Sequence, residues 1–404
     1  MYPTIYHAML DLFGINWPWA KLLNSFGFFV ALAFVAASFT LSRELKRKEQ
    51  QGLLKGEKRK QIIGKAPVWS DIITNALLGF IIGWKFIYLF LNSERLFVPG
   101  QSPQAHIFSS EGYFFVGLLV AAAFGGWRYW EFKKNQLPQP QEKIVDFHIY
   151  EYTGTITFIA AIFGIIGAKL FHLFENPDEF MAFFTHPDLQ SFLSGLTVYG
   201  GLILGAGAVL FFAWKKKIAL LHLTDAATPG MILAYGIGRI GCQVSGDGDW
   251  GIANPAPKPG WMSWLPDWMW SYDYPNNVNG LLGPSADTFA VRITDPNVPC
   301  WDGYCTHLVP SVWPTPFYET IMATIIFLIL WSLRKRIKVA GVITGLYLLF
   351  NGIERFLIES IRVNNKFDLF GIQATQAQVI AVCFMLAGLG MLYWRMKVSQ
   401  KNIA

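Results

Sequence analysis

Arg239 stands inside the segment "LAYGIGRIGCQVSGDGDWG" (233–251), which begins as an apolar helix and ends as a glycine-rich turn holding Gly246, Asp247 and Asp249. An arginine within an apolar span costs roughly 2.5–3.5 kcal/mol, so it usually faces a cavity or a partner. Near a helix end it can instead snorkel to the surface. The anion a membrane offers such a cation is phosphate. A second set lies in "NGIERFLIESIRVNNKFD", where Asn351, Arg355, Glu359 and Arg362 recur at i, i+4, i+8 and i+11. That spacing places them on one helical face as a polar seam among apolar residues, fit either to hold an anion or to join helices through Arg–Glu pairs. "GLTVYGGLILGAGA" (195–208) sets Tyr199 beside Gly200 and Gly201, where missing side chains allow a headgroup or another backbone to approach. "PTPFYET" (314–320) brings Tyr318 and Glu319 to the start of a further apolar run, where a glutamate can also serve only as a helix cap.

The elements that must position these residues are membrane helices. The chain has 404 residues, 53% hydrophobic and 15% charged, against about 25% charged in a soluble protein. Nine apolar runs approach the roughly 20 residues that cross a bilayer: 23–41, 71–91, 113–131, 153–174, 195–214, 225–243, 316–333, 340–358 and 376–395. The expected fold is an all-α polytopic membrane protein of about nine helices, one membrane domain over 1–404. The first run is not a signal peptide, because its basic cluster "SRELKRKEQQGLLKGEKRK" follows rather than precedes it. Lys and Arg crowd the segments after runs one, three, five and seven and the C-terminal tail. This predicts the N-terminus outside and the C-terminus in the cytoplasm. The formal net charge of +6 then reflects anchoring against anionic headgroups. Nucleic-acid binding is not expected, since no folded domain surrounds the basic runs.

Two helices are duplicated. "GFIIGWKFIYLFLN" (79–92) aligns without a gap on "FGIIGAKLFHLFEN" (163–176), matching Gly83 to Gly167, Lys85 to Lys169 and Asn92 to Asn176. The same offset matches Gly117 to Gly201 and Lys133 to Lys217 in the following run. The segment 70–136 thus reads as a copied scaffold hairpin, because the second copy alone holds "GLTVYGG". The region 245–315 is a long loop with seven of the sixteen tryptophans, expected to form an ordered cap on the outer leaflet. Within it Cys300 and Cys305 have the spacing of a short disulfide loop. "GIGRIG" (236–241) fits G-x-G-x-x-G but lacks the preceding strand of a nucleotide fold, so its glycines serve helix packing. The chain has no H-E-x-x-H, G-x-S-x-G or Walker motif, and no metal or organic cofactor is expected.

Taken together these segments resemble the prolipoprotein diacylglyceryl transferase family. "GRIGCQVSGDGDWG" is similar to its G-R-x-G-N-F-x-N-G-E-x-W-G signature, "GAKLFHLFEN" to G-A-R-L, "GLTVYGGLIL" to G-G-L-x-[HY]-G-G-L, "PTPFYET" to H-P-T-Q-L-Y-E and "ERFLIESIR" to R-F-x-x-E-x-x-R. "LNSFGFFVALAF" resembles the family's S-Y-G-L-M helix. The resemblance covers most of 150–404. It departs at Phe26 for Tyr, Lys169 for Arg, Cys242 and Ser245 for the two Asn, and Trp313 for His. The signature turn is also one residue longer.

The resemblance implies transfer of a diacylglyceryl group from phosphatidylglycerol to the lipobox cysteine of lipoprotein precursors in the bacterial inner membrane. A thioether forms and glycerol phosphate leaves. It implies Arg239 and Arg355 at the phosphate, Glu359 pairing nearby, Tyr199 where members carry His or Tyr, and an acid in the signature turn. Counting forward from Arg239 puts that acid on Asp247, orienting the arginines, and leaves Asp249 a solvated turn residue. Gly200, Gly201, Gly246, Asp249, Tyr318, Glu319 and Arg362 complete the expected substrate contacts. The competing readings are an anionic-lipid transporter or flippase, and an inactive scaffold that docks lipoprotein precursors.

Overall fold

The computed structural model describes residues 1–93, 105–177, 197–279, 289–296, 298–301, 303–364, 366–369 and 371–401. Among them, a short helix α1 (Ile5–Phe13) precedes nine long ones: α2 (Ser25–Gln50), α3 (Trp69–Leu91), α4 (Phe114–Asn135), α5 (Thr153–Glu175), α6 (Val198–Lys215), α7 (Leu220–Ser245), α8 (Thr315–Leu333), α9 (Val342–Glu359) and α10 (Gln376–Lys401). They fall on the nine apolar runs. Among the described residues, six helical segments are long and apolar enough to cross a membrane, those of α2, α3, α5, α6, α8 and α10. The helices α7 and α9 are more polar because they carry Arg239 and, on α9, Glu354, Arg355 and Glu359.

Small residues set the helix spacing. On α7, a side chain at Gly230 would meet Thr40 and Ala37 of α2, and one at Gly241 would lie 3.0 Å from the Phe29 Cβ. So α7 lies along α2. On its other side Ile232 joins Ala323, Ile326, Leu330 and Ile343 in a core shared with α8 and α9. Near the end of the bundle opposite the signature turn, Leu41, Leu45, Tyr152, Ile156, Ala213 and Leu223 tie α2, α5, α6 and α7 together. At that end the buried Asp225 of α7 accepts hydrogen bonds from Gly341 N (2.8 Å), Thr344 N (2.9 Å) and Thr344 Oγ1 (2.8 Å). It thereby supplies the N-terminal cap that α9 lacks in its own sequence.

The α3–α4 hairpin hangs on a two-stranded antiparallel ribbon, β1 (Glu57–Ile63) with β2 (Gln141–Phe147), in which Glu57 pairs with Phe147 and Ile63 with Gln141. The Tyr152 hydroxyl donates to Glu57 (2.7 Å) and ties the ribbon to the start of α5. Contacts inside α3–α4 recur 84 residues later inside α5–α6. Tyr113 N donates to Trp84 O (2.8 Å) as Thr197 N does to Ala168 O (3.0 Å). Asn92 Nδ2 donates to Tyr88 O as Asn176 Nδ2 does to His172 O, both at 2.9 Å. A side chain at Gly83 would strike Val116 O, and one at Gly167 would strike Gly200 O.

The segment between α7 and α8 packs as a cap. Its core is Trp250, Tyr274, Leu308 and Val312, and β3 (Phe289–Arg292) pairs with β4 (Thr306–Val309). Cys300 and Cys305 form a disulfide, as their spacing suggested. A last ribbon, β5 (Lys366–Leu369) with β6 (Ile372–Thr375), links α9 to α10. Residues 280–288 of the cap lie outside the described stretch.

Candidate active site

Three helix ends meet beneath the cap. Helix α7 brings Arg239, the second turn of α8 brings Glu319, and the end of α9 brings Arg355, Glu359 and, just beyond it, Arg362. Glu319, whose side chain is fully buried, is the hub. Arg239 Nε lies 2.9 Å from its Oε2, Arg362 Nη1 donates to Oε1 at 3.1 Å, and Arg355 Nη1 donates to Oε1 at 3.3 Å. Arg355 Nη2 also reaches Glu359 Oε2 (3.0 Å). Asp249 closes the network by accepting from both Arg239 and Arg362. Each arginine is thus held by two carboxylates, which offsets the desolvation cost of burying it. Arg362 keeps one buried donor, Nε, that has no partner among the described residues.

The signature turn explains which aspartate does this. Helix α7 ends at Ser245, and Gly246 (φ +65°) and Gly248 (φ +101°) lie in the left-handed region that glycine alone adopts readily. The chain therefore leaves the helical register at Gly246 and doubles back, which brings Asp249 over Arg239. Asp247 instead accepts from the backbone of the same turn, from Asp249 N (3.3 Å). The forward count expected Asp247 against the arginines and Asp249 in solvent; the carboxylate that lies against Arg239 and Arg362 is that of Asp249. Burial pushes the Asp249 carboxyl up, but Arg239 and Arg362 outweigh it and hold it well below the usual carboxylate range. Burial and the neighbouring Asp249 charge push the Asp247 carboxyl up.

Other expected contacts are placed differently. Space beside Gly200 and Gly201 is filled by α5, since side chains there would strike Gly167 O and Gly164 O, so helix packing accounts for both glycines. A side chain at Gly246 would lie 2.8 Å from the Asn277 Cβ, so this glycine serves the turn and the cap. Among the described residues, Tyr199 on α6 shares no hydrogen bond with the arginine network. The Tyr318 hydroxyl donates to Met269 O (2.7 Å) and anchors the cap to α8. Trp313 stacks edge-on against Trp270 (4.6 Å). Glu319 is a hub rather than a helix cap.

Three neighbours have no assigned place in the site from sequence, although Cys242 stands for a signature Asn. The Cys242 thiol lies 3.8 Å from Arg239 Nη1 and 3.5 Å from Asp249 Oδ2. Tyr235, one turn before Arg239, carries that guanidinium 5.1 Å from its ring centroid. Glu354 is buried beside the network, reached only by the Tyr235 hydroxyl (3.3 Å), with Oε2 unpartnered among the described residues. The i+4 spacing of Tyr235 and Arg239 was a usable signal. Glu354 gave none, because it stands one residue before Arg355 and outside the i, i+4, i+8 set that defines the seam. Cys242, Asp247 and Asp249 also place three ligand atoms within 4.8 Å of one another. The guanidinium of Arg239 among them opposes a cation there.

Known proteins are similar to this chain over most of its length. The family model of prolipoprotein diacylglyceryl transferases matches residues 113–394, more than half of the chain. A phosphatidylglycerol–prolipoprotein diacylglyceryl transferase of Corynebacterium diphtheriae is 27% identical over 277 residues, covering 68% of this chain and 83% of that protein. Proteins of the same name from Chromohalobacter salexigens and Pseudoalteromonas translucida are each 26% identical, covering 69% and 71% of this chain and 86% and 89% of their own. The match begins just before α4 and includes every residue of the arginine network. This chain belongs to the prolipoprotein diacylglyceryl transferase family.

Proposed function

We propose that the chain transfers the diacylglyceryl group of phosphatidylglycerol to the lipobox cysteine of lipoprotein precursors, forming a thioether and releasing glycerol phosphate. The observation that carries the reading is the cluster of Arg239, Arg355 and Arg362 on shared carboxylates, with the buried Arg362 Nε–H unpaired among the described residues. Guanidinium forks suit a phosphodiester because two parallel N–H bonds match two oxygens. In the reaction the thiol sulfur bonds to the glyceryl carbon, the carbon–oxygen bond to phosphate breaks, and the thiol proton ends on the departing phosphate. Arginines preorganised by Glu319, Glu359 and Asp249 stabilise the charge that gathers there.

Within this reading Arg239, Arg355 and Arg362 hold the phosphate, and Glu319, Asp249 and Glu359 hold the arginines. The partners are phosphatidylglycerol, the signal peptide of a precursor and the surrounding lipid. The protein sits in the bacterial inner membrane with nine spans, the cap and the arginine network on the outer side, and the duplicated hairpin as scaffold. Purified protein given phosphatidylglycerol and a lipobox peptide should release glycerol phosphate and yield a lipidated peptide. Movement of lipid without release would mark a flippase instead. Arg239→Gln should abolish transfer while the protein still inserts, and Arg239→Lys should restore only part, because lysine lacks the fork. Wild-type turnover by Arg239→Gln would remove the phosphate role.

A further inference from the structure

We propose that Trp261 and Trp264 form a membrane prong, a rigid pair of indoles that seats the cap in the headgroup layer of the leaflet beside α8. This inference stands apart from the transfer reading. The segment Pro259–Leu265 is a stiff turn: Met262 N donates to Pro259 O (2.9 Å), Ser263 N to Gly260 O (3.2 Å) and Leu265 N to Met262 O (2.9 Å). Lys258 Nζ clamps its end by donating to Leu265 O (2.7 Å). Met262 points inward and is buried, whereas Trp261 is 73% and Trp264 77% exposed. Two indoles this open on an ordered turn are unusual, because large apolar side chains are ordinarily covered.

Their height relative to the membrane follows from the next few residues. Trp268 packs its ring on Phe317 (4.9 Å), and the Tyr318 hydroxyl donates to Met269 O (2.7 Å). Phe317 and Tyr318 lie in the first turn of α8, a helix long and apolar enough to cross a membrane. The turn therefore lies level with the end of a membrane helix, where a bilayer passes from hydrocarbon to headgroups. The Trp264 Nε1–H donates to Trp261 O (3.0 Å), so this indole can enter the apolar border without an unpaired donor. Tryptophan favours that zone for the same amphipathic reason. The occupant is phospholipid, and a protein partner is the outcome that would exclude it.

The test places a reporter on the prong in the full-length protein. Trp264→Cys is made in a Cys383→Ser background and labelled with an environment-sensitive fluorophore, in vesicles of phosphatidylethanolamine and phosphatidylglycerol. Cys383→Ser alone, with buried Cys242 and the Cys300–Cys305 disulfide, serves as the unlabelled control. The emission should shift to the blue on reconstitution, with strong quenching by lipids brominated near the headgroup and weak quenching by aqueous iodide. Emission at the water value with strong iodide quenching, in vesicles containing no other protein, overturns the proposal. Labelling at Trp261→Cys repeats the measurement from the other indole and must give the same result, so one poorly folded variant cannot decide the matter.

Discussion

At the scale of single residues, the two aspartates of the signature turn make opposite predictions. Asp249→Asn removes the charge shared by Arg239 and Arg362 and should lower kcat/KM strongly. Removing one partner of a hydrogen-bonded charge pair costs roughly 2–5 kcal/mol, and the low end applies because Asp249 is partly open to solvent. Asp247→Asn should leave transfer close to wild type. Full activity in Asp249→Asn together with loss in Asp247→Asn would restore the forward count from Arg239. Stability against pH separates them again. The Asp249 carboxyl is held below its unfolded value, so its contribution is present above the ordinary carboxylate range near 4 and lost as pH falls through the depressed folded value. The Asp247 carboxyl is raised, so its contribution is present below that range and lost as pH rises through the raised value. In detergent at neutral pH, Asp249→Asn should therefore melt below wild type and Asp247→Asn at or above it, with both differences shrinking toward strong acid. The acid could not be chosen from sequence because counting assumed continuous helix through Gly246. One residue in the left-handed region breaks that register. The arginines themselves were legible, since a cation in an apolar run is costly wherever it points. Glu319 as their hub was not, because its partners come from helices far away in sequence.

At the scale of elements, the helices were legible and their attachments were not. Apolar runs of bilayer length fold as helices because only a helix satisfies its own backbone in an apolar solvent. The β1–β2 ribbon escaped notice because "EKRKQII" shows no apolar alternation and its partner strand lies a whole hairpin later. Asp225 was likewise silent in sequence, yet it fixes α7 against α9 and so sets Arg239 relative to Arg355. Asp225→Ala leaves Gly341 N and Thr344 N without their acceptor. Hydrogen bonds to a charged group are worth about 1.5–3 kcal/mol each, and truncation should cost at least one of them. The melting temperature should fall, and kcat/KM should fall with it although Asp225 touches no substrate. An unchanged melting temperature would mean that water replaces the carboxylate at no cost.

At the scale of the whole molecule, the ribbon offers a way to ask what the duplicated hairpin does. Helix α2 packs along α7 beside Arg239, α5 and α6 join that pair at the far end, and α8 and α9 complete the arginine network. None of these contacts runs through α3 or α4. The hairpin enters and leaves through paired strands, so Ile63 and Gln141 already stand opposite one another. Excising 64–140 and joining Ile63 to Gln141 through Asn-Gly should close the ribbon as a two-residue turn, the sequence that turn favours. Two apolar helices leave together, so the sidedness of every later helix is preserved. A reporter active only in the cytoplasm should work when fused after residue 338 in both chains and after residue 140 in the intact one, and be silent within 280–290 in both. The excised protein should insert and keep kcat/KM near that of the intact chain if the first copy is scaffold. Loss of transfer with insertion and melting temperature intact would instead assign the hairpin a part in handling lipid or precursor. The transfer assay and the melting curve together tell the two outcomes apart.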